Sequence, residues 1–180
     1  IMNNSRASER YAKSLLTLSI DENLLSDVKS DIDMLMQIFS KSREISNLYV
    51  NPIIPIYHKV EISKQLFENK INKLTLNLLL NVIYRKRDSL IESICLKFIE
   101  LYNLYKNIVE SNITTTIKLD VITLDYIKSF AEKVSNKKVS LIENIDENII
   151  GGFNLKIGDK MYDCTVSNKI NELKKQLINN

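Results

Sequence analysis

The chain has 180 residues, 44% apolar and 26% charged, with 25 basic side chains against 22 acidic and a formal charge of +3. This composition belongs to a folded globular protein, and the even charge balance argues against a basic nucleic-acid arm. Only five of the basic residues are Arg, the usual reader of base edges and phosphate forks, which further disfavours a nucleic-acid role.

Three glycines and two prolines in the whole chain favour long helices, because those residues cost most inside one. From Ser5 to Ile108 the apolar period is helical. Ala7, Tyr11, Leu15 and Leu18 recur at three- and four-residue steps, with Ala12 and Leu16 widening the stripe. Asp21 is expected to cap a second helix carrying Leu24, Leu25, Val28, Ile32, Leu35 and Phe39. Ser42 is expected to cap a short third, and "NPIIP" ends it, since a residue before proline avoids the α region. Pro55 suits the first turn of a fourth helix reaching Phe67. A fifth carries Leu76, Leu79, Leu80 and Ile83. Asp88 opens a sixth, with Ile91, Ile94, Cys95, Phe98, Leu101, Tyr102, Tyr105 and Ile108. Six amphipathic helices with short links can bury their stripes only against one another, so the reading is a six-helix bundle.

At Ser111 the period changes. "NITTTIKLD" alternates Ile113, Thr115, Ile117 and Leu119 with polar residues, as a strand does. Thr123 is expected to cap a helix, "KVSLIENI" reads as a second strand, and "GFNLKIGDKMYDCTV" reads as a hairpin turning at Gly158-Asp159. Ser167 is expected to cap a last helix with Ile170, Leu173 and Leu177 on one side. The fold class is therefore α+β: a helical bundle over residues 1–108, then a small α/β domain over 109–180.

All three glycines, Gly151, Gly152 and Gly158, fall in this last part. A phosphate loop sets its glycines between a strand and a helix start, in GxGxxG or GxxxxGK[ST] spacing. Here the pair precedes a strand and Gly158 sits in a hairpin, so the expected role is structural: a kink or bulge, and a turn. Chemistry is thin elsewhere. His58 is the only histidine and has no second one with which to hold a metal. Cys95 lies on an apolar helix face, and Cys164 lacks a basic neighbour to activate it. "RKRD", Arg85–Asp88, reads as a solvated junction. No catalytic residue, cofactor or metal is expected, and no disulfide. There is neither an apolar signal segment nor a run of about 18 apolar residues able to span a membrane, so a soluble intracellular chain is expected. A protein that binds other proteins remains.

The ordered motifs resemble one family. "ERYAKSLLTLS" at Glu9–Ser19 is similar to the first helix of the delta subunit family of F-type ATP synthase, whose mitochondrial member is the oligomycin-sensitivity-conferring protein. "YVNPIIPIYHKVEISKQLF" and "LLLNVIYRKRDSLIESICLKFIELY" resemble its later helices. The stretch "ENIDENIIGGFNLKIGDKMYDCTVSNKINELKKQL" resembles its closing pattern, with Asp146, Gly151, Gly152, Gly158, Asp159, Asp163 and Leu173 in place. Two departures stand out: Cys164-Thr165 replaces the usual Gly-Ser, and Arg85-Lys86-Arg87 lacks the glycine often found before the matching arginine.

The resemblance implies a non-catalytic stator link between the peripheral stalk and the top of the catalytic head, resisting rotor torque. It implies that the N-terminal helix of a head alpha subunit sits in a groove between the first and fifth helices. The matching positions are Tyr11, Ala12, Leu15, Leu16, Leu76, Leu79, Leu80 and Ile83. It implies that the stalk b subunit meets the C-terminal domain, at Ile170, Leu173 and Leu177. One copy per complex, monomeric when isolated and peripheral on the cytoplasmic face of a bacterial membrane, is the implied setting. The alternatives are a generic helical adaptor unrelated to ATP synthase, a nucleic-acid module, and an enzyme using a thiol at Cys164.

Overall fold

The computed structural model describes the backbone of residues 2–146, 149–158 and 160–178, with side chains except at 2–5, 172–173 and 175–178. The chain forms two compact units, Ile1–Tyr102 and Asn103–Asn180. The division lies ahead of the 108/109 boundary expected from the change of period. The end of the sixth helix belongs with the sheet, where Asn103 Nδ2 donates to Glu110 Oε1 at 2.9 Å.

The first unit is the expected bundle: α1 (Met2–Asp21), α2 (Leu25–Lys41), α3 (Arg43–Val50), α4 (Ile56–Phe67), α5 (Lys73–Tyr84) and α6 (Ile91–Lys106), the last preceded by a single 3-10 turn, Asp88–Leu90. Its core holds Leu15, Val28, Ile32, Leu35, Phe67, Val82, Ile83, Ile94 and Phe98, all essentially removed from water. Two buried polar contacts lock the helices together. Asp31 on α2 accepts from the Asn72 backbone N–H and Thr75 Oγ1, both at 2.8 Å, which supplies α5's N-terminus with an acceptor from another helix. Lys59 on α4 is almost fully buried, donates to the Tyr49 carbonyl at 3.1 Å and pairs with Asp88. The Tyr49 hydroxyl shares a 2.8 Å bond with Ser63 Oγ. So "RKRD" is not wholly solvated: its acid is bound to a lysine inside the unit.

Several helix ends differ from expectation for one shared reason. Asp21 does not cap α2; it ends α1, because Asn23 turns left-handed (φ 57) and closes the helix with Asn23 N–H to Ile20 O and Leu24 N–H to Ser19 O. That bond pair is the Schellman closure. The end of α5 repeats it: Lys86 (φ 57) donates to Ile83 O and Arg87 to Val82 O. The turn that lacks the family's usual glycine is thus a regular closure with lysine in the left-handed seat. Asn107 and Asn136 are also left-handed, at φ 58 and 52. Asparagine tolerates that conformation better than most residues, which is how a chain so poor in glycine ends its helices. Ser42 and Pro55 stand at the N-caps of α3 and α4, neither with a side-chain cap bond.

The second unit is a mixed four-stranded sheet in the order β2-β1-β3-β4, with β1 (Ile108–Thr115), β2 (Lys138–Ile145), β3 (Phe153–Ile157) and β4 (Lys160–Asp163). β1 pairs parallel with β2 across α7 (Val121–Ser135), and antiparallel with β3; α8 (Val166–Ile178) follows β4. β2 matches the expected "KVSLIENI". β1 starts at Ile108 and ends at Thr115, so Ile117 and Leu119 lie past it. Thr123 lies inside α7, whose N-cap is Asp120. Ser167 lies inside α8, and Thr165 Oγ1 receives the Asn168 N–H at 3.3 Å.

The glycines are structural here, as expected. Gly152 has φ +85, and a Cβ there would meet the Cys164 carbonyl oxygen at 2.4 Å. The β3 start and the β4 end, side by side in the antiparallel pair, approach so closely that only hydrogen fits. Gly151 O takes the Val166 N–H and Phe153 O takes the Cys164 N–H, both at 3.0 Å, fixing this approach. Gly158 has φ +56 in the hairpin turn; Asp159 lies outside the described residues. Cys164 and Thr165 are not left-handed, so the Gly-Ser they replace is not required by the backbone.

Candidate functional site

α1 and α5 run antiparallel, since the start of α1 and the residues just past α5 meet around one hollow. Between them lies an open groove of about 580 Å3. α1 contributes Arg10, Tyr11, Ser14, Leu15 and Leu18; α5 contributes Leu74, Asn77, Leu78 and Asn81, and Arg85 closes one end. On α1 the spacing is three and four residues, one helical face. On α5 the groove face is the pair Leu74 and Leu78, four apart, flanked by Asn77 and Asn81. Leu15 is only 1% exposed and forms the floor, while Leu18 is 46% exposed and forms an apolar lip. The result is a shallow apolar trough with polar rims, a shape that suits an amphipathic helix.

The structure sorts the sequence candidates. Tyr11 and Leu15 line the groove. Ala12, Leu76, Leu79 and Ile83 do not: they are core residues, 0%, 9%, 2% and 0% exposed, and they hold the two helices at their spacing. Leu16 and Leu80 are half-buried and pack on that core, outside the groove lining. The sequence reading missed Leu18, Leu74 and Leu78 and the polar Arg10, Ser14, Asn77, Asn81 and Arg85. The reason is physical. α5 has two apolar stripes, and the richer one, Leu76-Leu79-Ile83, faces inward because it buries more area. The signal for the other was the Leu74/Leu78 pair interleaved with asparagines.

Of the C-terminal candidates, Ile170 is 47% exposed on α8; the side chains of Leu173 and Leu177 lie outside the described residues. α7 of the same unit exposes Val121, Ile122 and Tyr126, each more than 70%.

No arrangement of chemical groups competes with the groove. Cys95 is buried, and burial first, then the Glu92 charge, pushes its thiol up to about 12, so it stays protonated and inert. Cys164 is half-buried and free. His58 is exposed and rests against the Tyr57 ring at 4.2 Å between centroids. Asp163 accepts from the Thr165 N–H at 2.9 Å, and those Thr165 hydrogen bonds hold its carboxyl below the usual range. Its work is to shape the start of α8. Among the described residues no group of three or more His, Cys, Asp or Glu is placed to hold a metal ion, and no helix is long and apolar enough to cross a membrane.

The model of the family described as ATP synthase delta (OSCP) subunit matches residues 7–177. The chain belongs to that family. Curated relatives include the ATP synthase subunit delta of Amoebophilus asiaticus (strain 5a2), 33% identical over 174 residues, 96% of this chain and 95% of the relative. That of Flavobacterium psychrophilum is 29% identical over 178 residues, 99% of this chain and 100% of the relative. Among solved structures, a chain of the cryo-EM structure of the Toxoplasma gondii mitochondrial ATP synthase hexamer has the same fold. Its TM-score is 0.73 at 20% identity, covering 95% of this chain and 97% of that one. Family membership decides between the two leading readings of the sequence in favour of a peripheral-stalk component of ATP synthase over an unrelated helical adaptor.

Proposed function

We propose that the chain is the non-catalytic link that ties the peripheral stalk to the top of the catalytic head of F-type ATP synthase, one copy per complex. It is monomeric when isolated and peripheral at the cytoplasmic face of a bacterial membrane. The α1/α5 groove carries the proposal. Its occupant is the amphipathic N-terminal helix of a head alpha subunit, laid with its apolar face on Tyr11, Leu15, Leu18, Leu74 and Leu78. A stator must resist torque through many turnovers, which demands slow dissociation, and slow dissociation comes from buried apolar anchors rather than rim charges. Tyr11 supplies a flat anchor with a polar tip.

The α/β unit takes the stalk b subunit, at α8 around Ile170. Exposed apolar side chains on α7 and α8 support a partner-binding role for this unit. With two attachments on one chain, release at one leaves the other holding at high effective concentration, so the link outlasts either contact alone. The chain makes and breaks no bond in this role.

Calorimetry of the full chain with a synthetic alpha-subunit N-terminal peptide tests the groove. Leu18→Asp puts a charge on the exposed lip and weakens binding at least about tenfold. Leu80→Gln, outside the lining, leaves affinity within about twofold. Equal affinity for the wild-type and Leu18→Asp chains removes the groove from the account.

A further inference from the structure

Beside one end of the groove lies a second hollow of about 500 Å3, lined by Arg6, Ala7, Arg10, Lys86, Arg87, Ser89 and Leu90. Arg10 lines both, so the two adjoin at that side chain. Four cations therefore converge beyond the apolar trough, and Arg85 adds a fifth at its mouth. No acidic residue lines the hollow. Two acids adjoin these cations in sequence: Asp88 is paired with Lys59 inside the unit, and Glu9, exposed beside Arg10, does not line the hollow. Among the described residues none of the five cations is in an ion pair. The whole chain is nearly balanced in charge, so this concentration is local. The fold builds it: the Schellman turn after α5, with Lys86 left-handed, swings Lys86 and Arg87 back towards the first turns of α1.

We infer that this cluster is a carboxylate-binding end-stop for the groove, reading acidic side chains at one end of the bound helix's apolar stripe. The inference rests on the groove reading above and adds to it what fixes the helix lengthwise. An apolar trough alone tolerates a slide of one turn, because leucines recur at every turn. A cationic pocket at one end does not, because a helix shifted by a turn (about 5.4 Å) carries its carboxylates out of reach. The positive cluster also steers an acidic helix during the encounter, so it acts on association rate and on register more than on residence time. The occupant is accordingly an amphipathic helix with one or more Asp or Glu within a turn of the end of its apolar stripe.

The test uses the full chain and the synthetic alpha-subunit N-terminal peptide, beside the same peptide with its carboxylates replaced by amides. The variant Arg6→Gln/Lys86→Gln/Arg87→Gln removes three cations that lie outside the trough, so a loss cannot come from lost apolar packing. The control Lys41→Gln/Lys64→Gln/Lys70→Gln removes three exposed cations elsewhere on the same unit. The inference expects the triple cluster variant to weaken the native peptide about tenfold or more, chiefly through a slower on-rate, and the control to leave it within about twofold. It expects the amide peptide to bind wild type and cluster variant alike, and near 1 M salt to erase the difference between them. Tight binding of the native peptide that ignores the cluster, or a native peptide with no carboxylate near its stripe, overturns this inference and leaves the groove standing. No binding of either peptide overturns both. Binding of inorganic phosphate or of duplex DNA in preference to the acidic peptide reassigns the cluster to a different ligand.

Discussion

Among the described residues the helical unit buries nineteen apolar side chains, seventeen of them on its six α-helices, while the α/β unit buries six, beneath one helix and a four-stranded sheet. The larger core is redundant: any one helix is held by several neighbours, and its errors of detail, such as a lysine in a left-handed seat, are absorbed. In the smaller one, the backbone ahead of β3 lies against the backbone just past its antiparallel neighbour β4, where Gly152 faces a carbonyl oxygen with no room for a methyl group. A small core leaves little reserve against such a defect. The difference fits the proposed division of labour. The helical unit, proposed to bind the head, offers a groove, and the α/β unit, proposed to bind the stalk, offers exposed apolar side chains that a partner would cover.

The largest expected effect tests the redundancy claim. Asp88→Ala strands the buried Lys59 ammonium without its partner, which costs about 3–5 kcal/mol. Denaturant unfolding of the helical unit reads it, and a loss under about 1 kcal/mol would mean that the pair is not shielded. Next comes Gly152→Ala, with an expected loss of about 2–4 kcal/mol from a positive φ and a direct clash. It should open the α/β unit while leaving the helical unit's hydrogen-exchange protection unchanged. Loss of protection in both units together would show that they do not have separate stabilities.

Cys95 offers a separate readout of the first unit. Its thiol is held near 12 by burial, so it should react with iodoacetamide only when the helical unit opens: faster in Asp88→Ala, unchanged in Gly152→Ala. The same raised value sets a pH dependence. The stability gained by keeping that thiol neutral is intact below about 9 and is lost as pH climbs towards about 12. The smallest expected effect is a gain. Lys86→Gly relieves a left-handed lysine and should add about 1 kcal/mol, while weakening the acidic peptide through loss of one cation. Stability and binding would then move in opposite directions at one residue. No gain in stability would show that the Schellman turn holds Lys86 without strain.

Much of this is legible in the sequence. Period alone placed all six helices of the bundle and the strand Lys138–Ile145, because apolar spacing reports which face is buried. Helix ends were less legible. Asp21, Thr123 and Ser167 looked like caps, but the ends are set by left-handed Asn23, by Asp120 and by Thr165. A residue's capping chemistry does not say where the chain turns. The glycine pair reads as structural from its place ahead of a strand, yet what Gly152 meets, a carbonyl 2.4 Å from the place of a Cβ, is a long-range contact that no local pattern carries. The groove was half-legible: Tyr11 and Leu15 line it, and Leu79 and Ile83 sit in the core, because sequence shows that a helix has apolar faces but not which face a neighbour covers.

The central claim is that the chain is a mechanical link that works through the α1/α5 groove. Membranes that carry its ATP synthase, depleted of the chain and then given back wild type or Leu18→Asp, test this in one assay of proton-driven ATP synthesis. The account predicts that depletion uncouples proton flow from synthesis, that wild type restores coupling, and that Leu18→Asp restores little. Full coupling in depleted membranes would contradict it.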